Sequence, residues 1–160
     1  MRLALYEPDI PQNAGTLMRT AACLGAGVEV IGPAGFDMTD RALRRAGLDY
    51  LAHVAIGRHE SFAAFESWRR ALEPRPRLVL LSAHATASYL DFRFAPDDIL
   101  LLGRESAGVP ETVRQVADAA LRIPIRTGLR SLNVAIAGAI VLAEALRQTG
   151  GPPRGFPASL

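Results

Sequence analysis

The 160-residue sequence contains no lysine, so each of its 18 positively charged side chains is an arginine. The absence of lysine excludes chemistry that depends on an amine side chain, such as a Walker phosphate-binding loop, a Schiff base or a pyridoxal phosphate anchor. A GC-rich genome explains most of the arginine excess, although guanidinium forks also suit phosphate oxygens. The net charge is only +2, so any binding of nucleic acid must come from local groups of arginines.

Cysteine and histidine are also scarce. The single cysteine, Cys23, excludes a disulfide within the chain and favours a reducing cytoplasm. It lies in an apolar helical pattern, which predicts a position in the core. The histidines, His53, His59 and His84, have no spacing that would place two ligands on one helix face, so we expect no metal site.

Long apolar runs are absent as well. No stretch reaches the roughly 18 apolar residues that a membrane span requires, and the opening MRLALYEPDIP lacks the features of a secretion signal. We therefore expect a soluble cytoplasmic protein that makes no membrane contact.

Length and composition predict one domain over residues 1–160, with residues 150–160 as an extended tail because glycine and proline are frequent there. Short β-rich runs alternate with helical runs, which indicates an α/β fold with a parallel sheet covered by helices on both faces. The runs VEVIG, LVLLS and ILLLG are apolar on both faces, as buried strands are. We predict six strands and about five helices.

Capping residues mark the predicted helix boundaries. The predicted N-caps are Asn13 for the first helix, Thr39 or Asp40 for the second, and Ser61 for the third. Gly25 and Gly27 are predicted to end the first helix.

Polar or glycine-rich turns follow three predicted strands in the second half of the chain, namely SAHATASY, GRESAGVP and IRTGLRSLN. Ligands of parallel sheets bind outside the carboxyl ends of the strands, so these turns predict a binding site. A fourth turn, EPDIPQN, leads into Asn13 and Arg19. The third turn places Arg130, Ser131 and Asn133 at the start of an almost wholly apolar helix, where unpaired N–H groups and the helix dipole favour a ligand.

Two familiar motifs are excluded. GAGVEVIG, at 25–32, follows a helix and precedes a strand, which reverses the order found in dinucleotide-binding folds. GRESAG lacks the glycine two residues before Ser106 that a nucleophile elbow requires. From pattern alone, the chain is typical of a flavodoxin-like nucleotide-binding domain.

Three segments taken together resemble the motifs of SPOUT-class RNA ribose methyltransferases: NAGTLMR at 13–19, LLLGRESAGVP at 100–110 and IPIRTGLRSLN at 123–133. Their order and spacing make the resemblance specific. LYEPDIPQN at 5–13 and RRAGLDY at 44–50 are similar to the short, single-domain members that methylate the wobble nucleotide of tRNA. The resemblance extends over essentially the whole chain.

This resemblance implies a fold, a cofactor and partners. It implies a trefoil knot in the C-terminal part of the domain, S-adenosylmethionine as cofactor, and a homodimer whose interface lies beside that cofactor. The implied reaction is 2′-O-methylation of the ribose of cytidine or uridine 34 in the anticodon loop of tRNA. Two alternatives stay open: the same chemistry on rRNA or another tRNA position, and a non-catalytic RNA-binding relative.

The resemblance also implies site residues. The implied catalytic residues are Asn13, Arg19, Ser131 and Asn133, and the implied cofactor-binding residues are Leu81, Gly103, Glu105, Gly108, Ile123, Ile125, Ser131 and Leu132. We expect Arg19 to orient the ribose and its phosphate, because a guanidinium stays protonated and is a poor base. Two roles are open for Glu105, binding of a loop amide and stabilisation of the sulfonium charge, and we expect the structural one. The sequence departs from the family pattern at Arg104, where Pro or Ser is common, and at VAI after Asn133.

Local groups of arginine are the candidate RNA contacts, with a merely solvated helix face for the arginines and a core position for Tyr50 as the open alternative. The candidates are Arg41, Arg44, Arg45, Arg58 and His59, with Tyr50 as a stacking surface.

Overall fold

The computed structural model describes residues 1–37, 50 and 53–151. Its elements, in chain order, are β1 (Arg2–Tyr6), α1 (Pro11–Leu24), β2 (Gly27–Ile31), β3 (Ile56–His59), α2 (Phe62–Arg70), β4 (Leu78–Leu81), β5 (Ala87–Ser88), a 3₁₀ turn (Tyr89–Asp91), β6 (Ile99–Leu102), α3 (Glu111–Arg114), β7 (Ala119–Arg122) and α4 (Val134–Thr149). The predicted second helix with its cap at Thr39 or Asp40, and most of the predicted tail, lie outside the described residues.

The sheet confirms the predicted parallel α/β fold. Its seven strands have the order β3-β2-β1-β6-β4-β7-β5, and all of the strand pairs are parallel. The described residues contain one strand more than the six predicted, because β5 lies within SAHATASY, which the sequence predicted as a turn. This two-residue strand pairs with the end of β7, so a tertiary contact decides its conformation and not its own sequence pattern.

The strand order positions the functional loops. Strands β1, β6, β4 and β7 are neighbours, so the loops that follow them emerge side by side at the carboxyl edge of the sheet. The central strands β4 and β6 are almost fully buried, as expected for strands covered on both faces. Gly138 allows helix α4 to pack closely against Leu17 of α1 and Leu102 of β6. A Cβ atom at position 138 would lie only 2.6 Å from Leu17 Cδ2 and 3.0 Å from Leu102 Cδ1.

The predicted helix boundaries are right in part. Ser61 is the N-cap of α2 and accepts a hydrogen bond from the Ala64 N–H at 3.2 Å. Gly25 ends α1 in the left-handed region with φ 71°, whereas Gly27 is the first residue of β2. The prediction for Asn13 was wrong, because α1 begins at Pro11 after Ile10 and places Asn13 inside its first turn.

Cys23 is exposed, which corrects the prediction of a core position. Helix α1 buries the face formed by Ala14, Leu17, Met18 and Ala21, and Cys23 lies off that face. Among the described residues, no helix is long and apolar enough to cross a bilayer.

A buried carboxylate occupies the middle of β2, where the sequence predicted an apolar strand. Glu29 is 2% exposed, and its two carboxylate oxygens lie 2.7 Å from Arg2 Nη1 and 2.7 Å from His59 Nε2. A Cβ atom at Gly57, the neighbour of Glu29 on β3, would lie 1.8 Å from Glu29 Oε2. Gly57 therefore provides the space that this buried ion pair needs.

We predict that Gly57→Ala destabilises the protein by about 1–3 kcal/mol, the usual cost of overpacking a filled interior. The clash is with a carboxylate that Arg2 and His59 both bind, so Glu29 cannot move aside without losing a partner. A double-mutant cycle of Gly57→Ala and Glu29→Ala, measured by urea unfolding, tests this. In the Glu29→Ala background, Gly57→Ala is expected to lower the free energy of unfolding much less than in wild type. Equal costs in the two backgrounds would contradict the explanation.

Candidate active site

A cavity of about 380 Å³ opens at the carboxyl ends of β4, β6 and β7. The polar turns predicted to form a binding site supply its walls. The structure brings together at this cavity all of the residues that the sequence resemblance assigned to the cofactor: Leu81, Gly103, Glu105, Gly108, Ile123, Ile125, Ser131 and Leu132. Residues separated by up to about a third of the chain therefore line one space.

The turn after β6 forms one wall of the cavity. Arg104 and Gly108 exchange two backbone hydrogen bonds, of 3.0 and 2.8 Å, across this turn. A Cβ atom at Gly103 would lie 2.6 Å from the carbonyl carbon of Gly108, and Gly108 itself has φ 65°. Glycine is required at 103 for space and favoured at 108 by backbone conformation.

The Glu105 carboxylate lies where three segments meet. Its Oε2 accepts hydrogen bonds from Asn13 Nδ2 at 2.9 Å and from the Val134 N–H at 3.0 Å. Asn133 Nδ2 donates to Asn13 Oδ1 at 2.9 Å. This network joins the first turn of α1, the turn after β6 and the start of α4, and it agrees with the expected binding of a loop amide by Glu105.

Asn133 is also the N-cap of α4. Its Oδ1 accepts hydrogen bonds from the N–H groups of Ala135 at 2.9 Å and Ile136 at 3.2 Å. The polar residues at the start of this apolar helix thus satisfy its unpaired N–H groups while Ser131, two residues earlier, lines the cavity.

A second network, which the sequence analysis missed, ties the loop after β1 to the same turn. Asp9 accepts hydrogen bonds from the backbone N–H groups of Glu105 at 3.1 Å and Ser106 at 3.2 Å, and from the Ser106 hydroxyl. Arg104 Nη1 lies 3.4 Å from Glu7 Oε2, and Glu7 has an unusual φ of 41°. The departure from the family pattern at Arg104 therefore adds an ion pair between the two loops.

The pKa of Asp9 reflects this second network. Partial burial alone would favour the neutral carboxyl, but the hydrogen bonds from the Ser106 hydroxyl and from backbone N–H groups outweigh it. The pKa of Asp9 is consequently below its ordinary value.

Arg19 is the one predicted catalytic residue that neither lines the cavity nor belongs to the network of Asn13, Glu105 and Asn133. It is exposed on α1, where its guanidinium carbon is 4.6 Å from the centre of the Tyr50 ring and Nη2 is 3.4 Å from the Tyr50 hydroxyl. It is not among the residues that line the cavity. The structure therefore brings Asn13, Ser131 and Asn133 to one place and leaves Arg19 beside Tyr50.

The predicted RNA contacts have mixed outcomes. Arg41, Arg44 and Arg45 lie outside the described residues, and Arg58 is exposed on β3. His59, by contrast, is at the buried end of β3, with its side chain 10% exposed and bonded to Glu29. Its ring lies 5.3 Å from that of Phe65 and 5.1 Å from that of Trp68. Parallel pairing of β3 with β2 turns His59 inward, so the structure gives it a packing role and not the predicted RNA contact.

Four large apolar side chains on the segments next to the network are exposed, and together they are called the apolar patch below: Ile10, Leu129, Leu132 and Ile136, at 36%, 66%, 38% and 51% exposure. The part of the chain that the structure describes contains no group of three or more side chains able to bind a metal.

Comparisons with known proteins agree on one family. The model of the SpoU rRNA Methylase family matches residues 1–143. A curated relative from Beijerinckia indica, named tRNA (cytidine(34)-2′-O)-methyltransferase, is 61% identical over 148 residues, which cover 92% of this chain and 91% of the relative.

Solved structures give the same result. A structure from work described as "Structural insights into the 2-OH methylation of C/U34 on tRNA" has a TM-score of 0.84 and 46% identity, and the match covers 92% of this chain and 94% of the other. The SpoU methyltransferase AviRb from Streptomyces viridochromogenes, in complex with the cofactor AdoMet, has a TM-score of 0.84 and 31% identity over 92% of this chain and 57% of the other.

We predict that Asp9→Asn lowers the free energy of unfolding at pH 7 by about 1–3 kcal/mol, because it replaces charge-assisted hydrogen bonds with neutral ones. The folded-state pKa is depressed, so the carboxylate stabilises the fold fully above its unfolded-state pKa of about 3.8 and progressively less as the pH falls through the folded-state value. The difference between wild type and variant is thus expected to shrink below about pH 4. Urea unfolding from pH 3 to 7 measures it, with the exposed Asp97→Asn as control; a difference independent of pH would contradict the prediction.

Proposed function

The chain belongs to the SpoU rRNA methylase family, and on that basis we propose that it methylates the 2′-hydroxyl of the wobble nucleotide, cytidine or uridine 34, of tRNA with S-adenosylmethionine. The observation that carries the proposal is the meeting of all family-implied cofactor residues at one cavity, next to the network of Asn13, Glu105 and Asn133. The 61% identical relative bears the name of that activity, and the match covers almost the whole of both chains.

The alternatives have less support. Methylation of rRNA or of another tRNA position uses the same site chemistry, and the family description itself names rRNA. The 61% identical relative and the 46% identical solved structure nevertheless both concern nucleotide 34 of tRNA. A non-catalytic RNA-binding protein would have no need for an intact cavity joined to a polar network.

The residues present fit S-adenosylmethionine. The cavity volume lies within the ~300–1,000 Å³ typical of small-molecule sites. Leu81, Ile123 and Ile125 provide apolar walls for an adenosine, and the Gly103 turn lets the backbone approach the ligand closely. The AviRb structure holds the same cofactor in a related fold. When bound, S-adenosylmethionine supplies an electrophilic methyl group on a sulfonium centre.

The side chains of this protein must then align a ribose hydroxyl and assist the loss of its proton. Arg19 orients the ribose and the neighbouring phosphate through its guanidinium fork, which remains protonated. Asn13 and Asn133 fix the loops around the reacting groups, and Ser131, which lines the cavity, is placed to hydrogen-bond the substrate. Glu105 acts as a positioning residue, because its Oε2 accepts hydrogen bonds from two protein groups, the Asn13 side chain and the Val134 N–H.

A homodimer explains why Arg19 lies outside the cavity of its own chain. The apolar patch of Ile10, Leu129, Leu132 and Ile136 borders the network and provides a contact surface for a second copy. In this arrangement Arg19 of one subunit reaches the cavity of the other. The family likeness further supports a trefoil knot in the C-terminal part and a cytoplasmic location.

Transfer of labelled methyl from S-adenosylmethionine to unmodified total tRNA, followed by nucleoside digestion, tests the activity and the role of Arg19 together. We expect 2′-O-methylated pyrimidine nucleosides with wild type, and a loss of about 10²-fold or more in turnover with both Arg19→Ala and Arg19→Lys, because an ammonium lacks the planar fork. Arg93→Ala, at an exposed arginine without an ion pair, is the control. Near-normal turnover of Arg19→Lys would refute the role assigned to the fork, and transfer only to rRNA would favour the alternative substrate.

Subunit complementation tests the shared site. We expect wild type to sediment as a dimer and Ile136→Arg to dissociate, because it places a charge on the apolar patch. Separately inactive Arg19→Ala and Glu105→Gln chains are expected to regain turnover when mixed, since each mixed dimer contains one site with neither substitution. A fully active monomer, or mixing without recovery, would contradict the shared site.

A further inference from the structure

Most arginine side chains in the described part of the chain already have partners. Those in ion pairs are Arg2, Arg69, Arg70, Arg75, Arg77, Arg104, Arg114 and Arg147. Within the described residues, four guanidinium groups make no ion pair, hydrogen bond or ring contact: Arg93, Arg122, Arg126 and Arg130. Three of these four lie within nine residues of one another, on a segment that runs from the last residue of β7 to the loop before α4.

This segment has no acidic residue to neutralise it. No aspartate or glutamate occurs between Asp118 and Glu144, so the segment carries a charge of +3, more than the +2 of the whole protein. The two flanking carboxylates are themselves engaged: Asp118 pairs with Arg69 and Arg75, and Glu144 pairs with Arg147. The positive charge of this segment is therefore local and uncompensated.

The backbone groups these charges at the cavity. Residues 122–126 alternate, with Arg122, Pro124 and Arg126 exposed while Ile123 and Ile125 line the cavity wall. After them, the Leu129 N–H donates to the Arg126 carbonyl at 3.2 Å and closes a turn.

Arg126 and Arg130 flank this turn, in which Gly128 has φ 90°. Next to Arg130, Ser131 and Leu132 return to the cavity wall. The same segment thus supplies part of the cavity wall and three exposed arginines that do not line the cavity.

We propose that Arg122, Arg126 and Arg130 form a phosphate-binding surface that binds the backbone of the RNA substrate beside the nucleotide to be methylated. The inference rests on the proposed function and adds a binding surface to it. Guanidinium groups bind phosphate oxygens in bidentate fashion, and exposed arginines without acidic partners give up no existing ion pair when they do so. The position of the surface on the cavity rim places RNA phosphates within reach of the reacting ribose.

Charge, not base recognition, is the chemistry that this surface offers. No aromatic residue occurs between Phe94 and Phe156, so the segment has no ring on which a base could stack. We therefore expect the surface to contribute to affinity with little preference for sequence, and the contacts that select the nucleotide lie elsewhere.

The test is tRNA binding by the triple variant Arg122→Gln, Arg126→Gln, Arg130→Gln, measured by fluorescence anisotropy from 50 to 300 mM salt. We expect binding about 10-fold or more weaker near physiological salt, and a slope of log K against log salt reduced by about two, as the loss of three phosphate contacts predicts. Arg93→Gln is the matched control, because Arg93 is equally exposed and unpaired but lies outside the segment; it is expected to leave both values unchanged. Calorimetric titration with S-adenosylmethionine should give an affinity within twofold of wild type, which excludes damage to the cavity wall.

The single variant Arg126→Gln, at an exposed turn position, provides a second test that does not depend on the folding of the triple variant. It is expected to reduce the slope of log K against log salt by a little under one. An unchanged slope in both variants, or an equal loss in Arg93→Gln, would overturn the inference. Failure of the proposed function is separate: if wild type transfers no methyl to tRNA but the triple variant still loses salt-dependent RNA binding, the surface stands and the assigned substrate is wrong.

Discussion

The carboxylate of Glu105 is the interaction on which the geometry of the site depends. One of its oxygens accepts hydrogen bonds from the Asn13 side chain and from the first N–H of α4, so a single group fixes segments that are about 90 and 30 residues away in sequence. Asn133 completes the link by capping α4 and donating to Asn13. Hydrogen bonds to a charged group contribute about 1.5–3 kcal/mol each where they are shielded, and less at this exposed position. Their main effect here is orientation: they set where α4 starts and hence where Ser131 lies.

Asp9 fixes the backbone of the turn that carries Glu105. It binds the backbone N–H groups of Glu105 and Ser106, so the residue that carries the central carboxylate has its own backbone fixed by a second carboxylate. The two loops involved follow β1 and β6, which pair directly in the sheet. Parallel pairing therefore brings the loops together, and the carboxylates then determine their conformation.

The arginines divide by what surrounds them. Arg69 is fully buried between Glu66 and Asp118, where its role is to fix α2 against the sheet, whereas Arg122, Arg126 and Arg130 have no acidic neighbour to bind. In a chain without lysine, one residue type serves both as an internal structural ion and as an external charge. Only the position of the carboxylates distinguishes the two, which is why composition alone could not locate the uncompensated charge.

The sequence by itself determined the parallel α/β class, the buried strands, the Ser61 cap and the turns that line the cavity, because periodicity, capping and glycine content are local properties. It also carried the family motifs, whose implied cofactor residues meet at one cavity, whereas Arg19 lies beside Tyr50. Tertiary structure decided the rest. Asn13 became a network residue and not a cap, His59 turned inward to Glu29, Cys23 fell on the exposed side of α1, and Ala87–Ser88 became a strand. Each of these outcomes depends on a partner distant in the chain, and hydrogen bonds and burial between distant segments leave no pattern in the local sequence.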